Sequence, residues 1–212
     1  AHVAINVRAS VDEGESVVGE IAARGGEALL VAGDITQRSH VDTMIEAIAK
    51  RWGRLDILVN NAAIRREVAF AELSFADWRE AQAVCVDGAF HCTQAALPLL
   101  RKSKTATVIN IGGMTAHTGA TKRAHVVTAK AAITGLTRAL AHELAEFGIT
   151  VNCVAPGFTM SDGVEEHPMI LPLLQRELSI DDYVDRDEEC RLATLLADVK
   201  SESQEEKIYT KE

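Results

Sequence analysis

Apolar positions in this chain follow two alternating rhythms. Short runs at His2–Val7 (HVAINV), residues 28–32 (ALLVA), residues 55–59 (LDILV), Thr107–Ile111 (TVINI) and Thr150–Val154 (TVNCV) are almost continuously apolar, as strands buried on both faces of a parallel sheet are. The longer stretches between them have helical spacing. After Ser39, the residues Val41, Met44, Ile45, Ile48, Ala49 and Trp52 recur at i, i+3, i+4 and i+7, which turns one stripe of a helix toward a core. Further helices are predicted at about 12–24, closed by Gly25-Gly26, at 74–100 with Ser74 as N-cap and Gly88 as the weak point, and at 124–147. The segment Thr115-Ala116-His117-Thr118-Gly119 reads as a flexible loop. Strands alternating with helices predict an α/β fold with a doubly wound, mostly parallel sheet.

The rhythm ends at Pro156-Gly157. Residues 1–160 are therefore expected to form one core, 161–200 an atypical helical segment and 201–212 a disordered tail poor in apolar residues. Charge is distributed accordingly: residues 181–212 hold eleven acidic against five basic residues, and so carry most of the net charge of −9. That negative balance argues against a nucleic-acid partner. No uninterrupted apolar run approaches the roughly 18 residues that span a bilayer, so no membrane partner is expected. Cys85, Cys92, Cys153 and Cys190 lack the paired spacing of a metal or redox site, so no metal is expected and a reducing cytoplasmic location is.

Several short segments occur together in a particular order. Asn60-Asn61-Ala62-Ala63 follows one strand, Lys130 lies early in the helix after the next, and residues 149–157 (ITVNCVAPG) carry the strand beyond that. With residues 136–141 (LTRALA) they closely resemble the short-chain dehydrogenase/reductases, over residues 1 to about 160. The resemblance implies a Rossmann-like sheet that binds NAD(H) or NADP(H) at the carboxyl ends of its strands. It implies oxidoreduction of a small-molecule carbonyl or alcohol, and assembly into homo-oligomers. It also implies a first, central strand ending in a Gly-rich turn that holds the cofactor pyrophosphate. Neither Gly25-Gly26 nor Gly112-Gly113 has that spacing, and the sequence begins at the family's second strand. Two explanations stand: a piece of a longer product, or a rearranged sheet.

On the same resemblance, Arg8 follows a strand ending in Val7, where NAD-preferring members place a carboxylate. NADP is thus favoured, with NAD the alternative and a solvated arginine the plain reading. Asp34 corresponds to the acceptor for the adenine amino group, with Ile35 beside the ring, although Asp also caps helices well. Asn60 and Ala62 would line the adenosine ribose, Asn60 serving equally as a structural hydrogen bonder. Lys130 would hold the nicotinamide ribose, beside Pro156 and Gly157, and Ser161 the carboxamide.

The family's catalytic group is a Tyr four residues before the Lys, a Ser about thirteen before the Tyr, and a helical Asn. Here those positions are Val126, Gly113 and Cys85. Val126 has no proton to give. Of the family's four residues only Lys130 remains, and His117 is the candidate replacement donor because imidazole titrates near neutrality. His125 is about 100° around the helix from Val126 and is expected to face away from the site. Cys85 and Cys92, seven apart on one helix face, read as core residues. A catalytically inactive member that binds cofactor or builds an oligomer, or a fragment without function of its own, is the alternative to an enzyme.

Overall fold

A computed structural model of the chain describes residues 1–157. The expected segments at 161–200 and 201–212, and with them Ser161 and Cys190, lie outside the described residues. The described elements are β1 (His2–Val7), α1 (Val11–Ala23), β2 (Glu27–Ala32), α2 (Arg38–Trp52), β3 (Ile57–Asn60), α3 (Phe75–Gln82), a π turn (Ala83–Asp87), α4 (Gly88–Leu100), β4 (Thr107–Ile111), α5 (Thr115–Thr118), α6 (Ala124–Leu144) and β5 (Thr150–Val154). The mixed α/β order and all-parallel pairing are those of a Rossmann-like fold.

Local chemistry sets the boundaries. Gly25, at φ +77°, and Gly53, at φ +76°, take the left-handed conformation that ends α1 and α2. Ser74 caps α3 as its sequence predicts, its hydroxyl accepting the Asp77 backbone N–H at 3.0 Å. Two expectations are corrected. The irregularity in the long helix is the π turn just before Gly88, not Gly88 itself, because one residue too many is accommodated there. The 115–119 segment is a helical turn rather than a free loop: the amides of Ala116, His117 and Gly119 all donate back to carbonyls between Gly113 and Thr115.

Two layers of side chains form the core. Val31 of β2 packs with Val41 and Met44 of α2 and Cys92 of α4. Ala96 and Leu100 of α4 close over Val108 of β4, Val151 of β5 and Leu144 of α6. Taken as one rod, Phe75–Leu100 is long and apolar enough, by length and composition alone, to cross a membrane, although Asp77, Arg79, Glu80 and Asp87 interrupt its apolar run. Its buried side, Ala81, Cys85, Ala89, Cys92, Ala96, Leu99 and Leu100, belongs to the protein core. Helix α1 covers the other face of the β1–β2 pair. A Cβ on Gly14 would stand 2.6 Å from Leu30 Cδ1 and 3.1 Å from Val7 Cγ1, so the helix lies close to both strands at this point.

The sheet is in two parts. Strands β1 and β2 pair in one, and β3, β4 and β5 in the other, with no ladder between β1 and β3 among the described residues. Between them is a cleft of about 1140 Å³, lined by Ala1–Ala4 and Asn6 on one side and Leu55–Ala62 on the other. The gap falls where the family resemblance implies a central strand. Ile57 (57% exposed) and Val59 (51%) lie on a sheet face that no described helix covers. Unpaired strand edges beside apolar surface template association. We therefore expect the chain to bind a hydrophobic dye and to self-associate, and Ile57→Lys/Val59→Lys to lower both, as read by dye fluorescence and light scattering.

Candidate functional site

The sequence-predicted site residues sit at the carboxyl ends of the strands. Arg8 follows β1, Asp34 and Ile35 follow β2, Asn60 ends β3, and Ala62 follows it. Pro156 and Gly157 lie just past β5 and are stitched to the end of β4. Gly112 N–H donates to Val154 O at 2.8 Å, and Met114 N–H to Pro156 O at 3.1 Å. A Cβ on Gly112 would be 2.7 Å from Cys153 Sγ, so the close approach requires glycine.

Asp34 is not the helix cap, since Gln37 holds that position. One carboxylate oxygen, Oδ1, accepts the Thr36 backbone N–H at 2.9 Å and the Thr36 hydroxyl at 2.8 Å. These bonds hold the Asp34 pKa below the ordinary carboxylate value, with a smaller contribution from the Arg8 charge. The carboxylate is thus ionised and fixed, and its Oδ2 takes no hydrogen bond within the described residues. Ile35 is half-buried on the amino end of α4, where a Cβ on Gly88 would stand 2.5 Å from Ile35 Cδ1.

Asn60 belongs to a chain of polar side chains through the core. Its amide donates to Asn110 Oδ1 at 2.8 Å and to Thr93 Oγ1 at 3.1 Å, using both its hydrogens. Asn110, fully buried, donates in turn to Thr137 Oγ1 at 2.9 Å, and Thr137 donates to Ile133 O at 2.8 Å. The structural role weighed for Asn60 is therefore present. Asn110, Thr93 and Thr137 were not singled out in the sequence. The readable signal was Asn110, a lone amide at an inward position of the apolar run TVINI.

Lys130 is 9% exposed, on the inner face of α6, and its Nζ donates to Ile111 O at 2.5 Å, at the end of β4. It makes no ion pair with a described carboxylate. Burial pushes its pKa below the ordinary 10.5; the nearby Cys85 and Cys153 sulfurs oppose that shift, and the Arg65 charge adds to it. The vacated family positions surround this amine. Val126 is buried one turn before it, and Gly113 leaves open space, where a Cβ would meet nothing nearer than Thr115 Oγ1 at 3.9 Å and Lys130 Cγ at 4.0 Å. Cys85 is buried in the π turn, as its helix face predicts. The Cys92 thiol is pushed up to about 11 by burial and stays protonated at neutral pH.

The two histidines differ. His117 lies exposed in α5, and no side-chain hydrogen bond or ion pair joins it to Lys130 or to any other described residue. His125, about 100° around the helix from Val126, is wholly buried, and neither ring nitrogen has a hydrogen-bond partner among the described residues. Its burial follows from α6 being covered on a second side by α3. The α3 C-terminus reaches it, with Gln82 Nε2 donating to the His125 carbonyl at 3.2 Å.

A family model described as short chain dehydrogenase matches residues 1–168. The chain belongs to the short-chain dehydrogenase family. Among curated relatives, a 3-oxoacyl-acyl-carrier-protein reductase of Synechocystis is 36% identical over 173 residues, which is 82% of this chain and 70% of the relative. The reductase of that name from Staphylococcus aureus is 35% identical over 161 residues, 76% of this chain and 65% of the relative. The BbsD subunit of a hydroxy(phenyl)methylsuccinyl-CoA dehydrogenase from Thauera aromatica is 41% identical over 162 residues, 76% of this chain and 62% of the relative. The chain thus spans about two thirds of the length of these relatives.

Two measurements check the site. Removing Asn110 strands the Asn60 and Thr137 groups in the core, so Asn110→Ala is expected to lower stability to urea by about 1–3 kcal/mol. Lys130 fixes a sign. Its folded pKa is lowered, so the unfolded chain binds more protons between that value and 10.5, and stability rises with pH through that window. The rise should be absent in Lys130→Met when urea midpoints are compared across alkaline pH.

Proposed function

We propose that this chain is the core of an NADP(H)-dependent oxidoreductase that interconverts a small carbonyl compound and its alcohol, using a proton donor other than the family's phenol. The observation that carries the reading is the position of Lys130: a buried amine held at the end of β4, among strand ends that carry Asp34, Asn60 and Pro156-Gly157. The family membership and the reductase and dehydrogenase names of the relatives support it.

The residues present fit the nucleoside portions of such a cofactor. Asp34 Oδ2 is free to accept from an adenine amino group, Ile35 offers an apolar wall held by Gly88, and the Asn60 amide fixes the backbone before Ala62. Arg8, exposed past β1, supplies the cation for a 2′-phosphate. Lys130 would hold the nicotinamide ribose. No Gly-rich turn for the pyrophosphate is among the described residues. When bound, the nicotinamide supplies or takes the hydride. The chain's own part is to orient the carbonyl beside Lys130 and Gly113 and to move one proton. Val126 and Gly113 cannot move it, Lys130 carries a lowered pKa, and His117 would have to swing inward from α5. A soluble cytoplasmic homo-oligomer formed through α3, α4 and α6 goes with this reading. Exposed Phe75 and Phe90 on those helices support it.

A second reading is a cofactor-binding subunit without turnover. It is favoured by one observation, the aliphatic wall that Val126 puts where the family has its acid. One experiment separates the two. The space at Gly113 accepts a Cβ without a clash, and Gly113→Ser/Val126→Tyr is compared with the parent once circular dichroism shows that it folds. A gain of roughly 10²-fold or more in NADPH-dependent ketone reduction over a weak parent is expected if only the acid is missing. A parent with strong turnover unaffected by Lys130→Ala or His117→Ala would refute the assignment. Titration with both nucleotides should show NADPH bound more tightly than NADH, with the difference lost in Arg8→Ala.

A further inference from the structure

Two histidines on different helices hold the two residues that line the candidate adenine position. Asp34 N–H donates at 3.3 Å to Nδ1 of His40, in the first turn of α2. The ring of His91, in α4, bonds through its own Nδ1 to the carbonyl of Ile35 at 3.1 Å. The same loop is anchored to β1: Gly33 N–H donates to Val7 O at 2.9 Å, and Asn6 Nδ2 donates to Gly33 O at 3.0 Å. Helix α2 lies close here, since a Cβ on Gly33 would stand 2.8 Å from Met44 Sδ and 3.4 Å from His40 Cβ.

The two rings respond oppositely to a proton. A backbone N–H can only donate, so Nδ1 of His40 is the bare, accepting nitrogen and its hydrogen is on Nε2. A second proton leaves that ring with two donors and no acceptor, and the bond to Asp34 is lost. A carbonyl can only accept, so Nδ1 of His91 carries a hydrogen, and protonating its Nε2 keeps the bond to Ile35. The charged groups of the elements packed around His40 are Arg8 beyond β1, Asp34 beyond β2, and Arg38 and Asp42 of α2 itself, which pair with each other at 2.8 Å. The anion left for an imidazolium at His40 is therefore the Asp34 carboxylate, with which its charge interacts favourably.

We propose that His40 is a proton-sensitive positioning residue: neutral, it holds the Asp34 backbone in place for an adenine ring, and protonated, it releases that backbone and turns to the carboxylate that would receive the adenine amino group. The inference rests on the nucleotide-binding reading above and gives that site its regulation, a loss of affinity for the adenosine end in acid. An imidazole suits the task because its ordinary titration falls between about pH 5 and 8. Asp34 does not share the change. Its own pKa is held below the ordinary carboxylate value by Thr36, so it stays ionised over that range.

The test is adenosine binding to the whole chain at about pH 8 and about pH 5.5, read by ligand-observed NMR, with circular dichroism checking the fold of each variant at both values. Adenosine is the probe because, unlike a phosphate monoester, it carries no group that titrates in this range. It is expected to bind roughly three- to tenfold more weakly at the lower pH, as the loss of one hydrogen bond implies. In His40→Asn, an amide oxygen that does not titrate can accept the Asp34 N–H, so the higher affinity should be kept at both values. His142→Asn, at an exposed position in the last turn of α6, should bind as the parent does. An affinity in the parent that does not change with pH, a fall that survives in His40→Asn, or weak binding by His40→Asn at both values would each overturn the proposal and leave the nucleotide site standing. Adenosine that binds at neither pH would remove that site and the proposal with it.

Discussion

The hydrogen-bond chain from Thr137 through Asn110 to Asn60 and Thr93 fixes the register of everything at the site. It joins α6 to β4, β4 to β3, and β3 to α4 by side chains in the interior, where an unpaired amide is expensive and a misaligned one has no water to turn to. Apolar packing alone would tolerate a helix that slides or rotates slightly on its sheet. An amide that must meet a particular hydroxyl does not. Lys130 lies seven residues before Thr137, two turns along the same face of α6, so locking Thr137 onto Asn110 delivers the amine to the carbonyl one residue further along β4.

The same chain explains why half of the sheet is intact beside a gap. Strands β3, β4 and β5 are held by their own ladders and by the core of α4 and α6, while β1 and β2 are held by α1 on one face and α2 on the other. Helix α2 and the first part of α4 share the cluster around Val41 and Met44 and bridge the two parts from one side. The cleft therefore stays open without either part losing its core.

Much of this was legible in the chain. The strands at 107–111 and 150–154 coincide with their apolar runs, Ser74 announced its cap, and the Lys130 amine and Pro156-Gly157 stand at the carboxyl ends of β4 and β5. What escaped had physical reasons. A π turn leaves no mark on a pattern of apolar positions, since Ala83–Asp87 reads as ordinary helix. The four-residue helix α5 is too short to show a period. The burial of His125 depends on α3 covering a second side of α6, a tertiary fact that its spacing from Val126 could not reveal. The polar network was hidden for a related reason: threonines on a helix are usually solvated, and only their partners show otherwise.

The π turn also sets how the molecule tolerates changes in length. In a loop, losing one residue is commonly absorbed. Here, deleting a single residue between Ala83 and Asp87 would turn the bulge into regular helix and rotate all that precedes it by about 100° relative to α4. Ala81 would leave the core, the Ser74 cap would swing round, and the acids that hold Arg66, Asp77 and Glu80, would move off together. The bulge thus carries one wall of the molecule: reverting it to a regular helix would dismantle that wall in a single step.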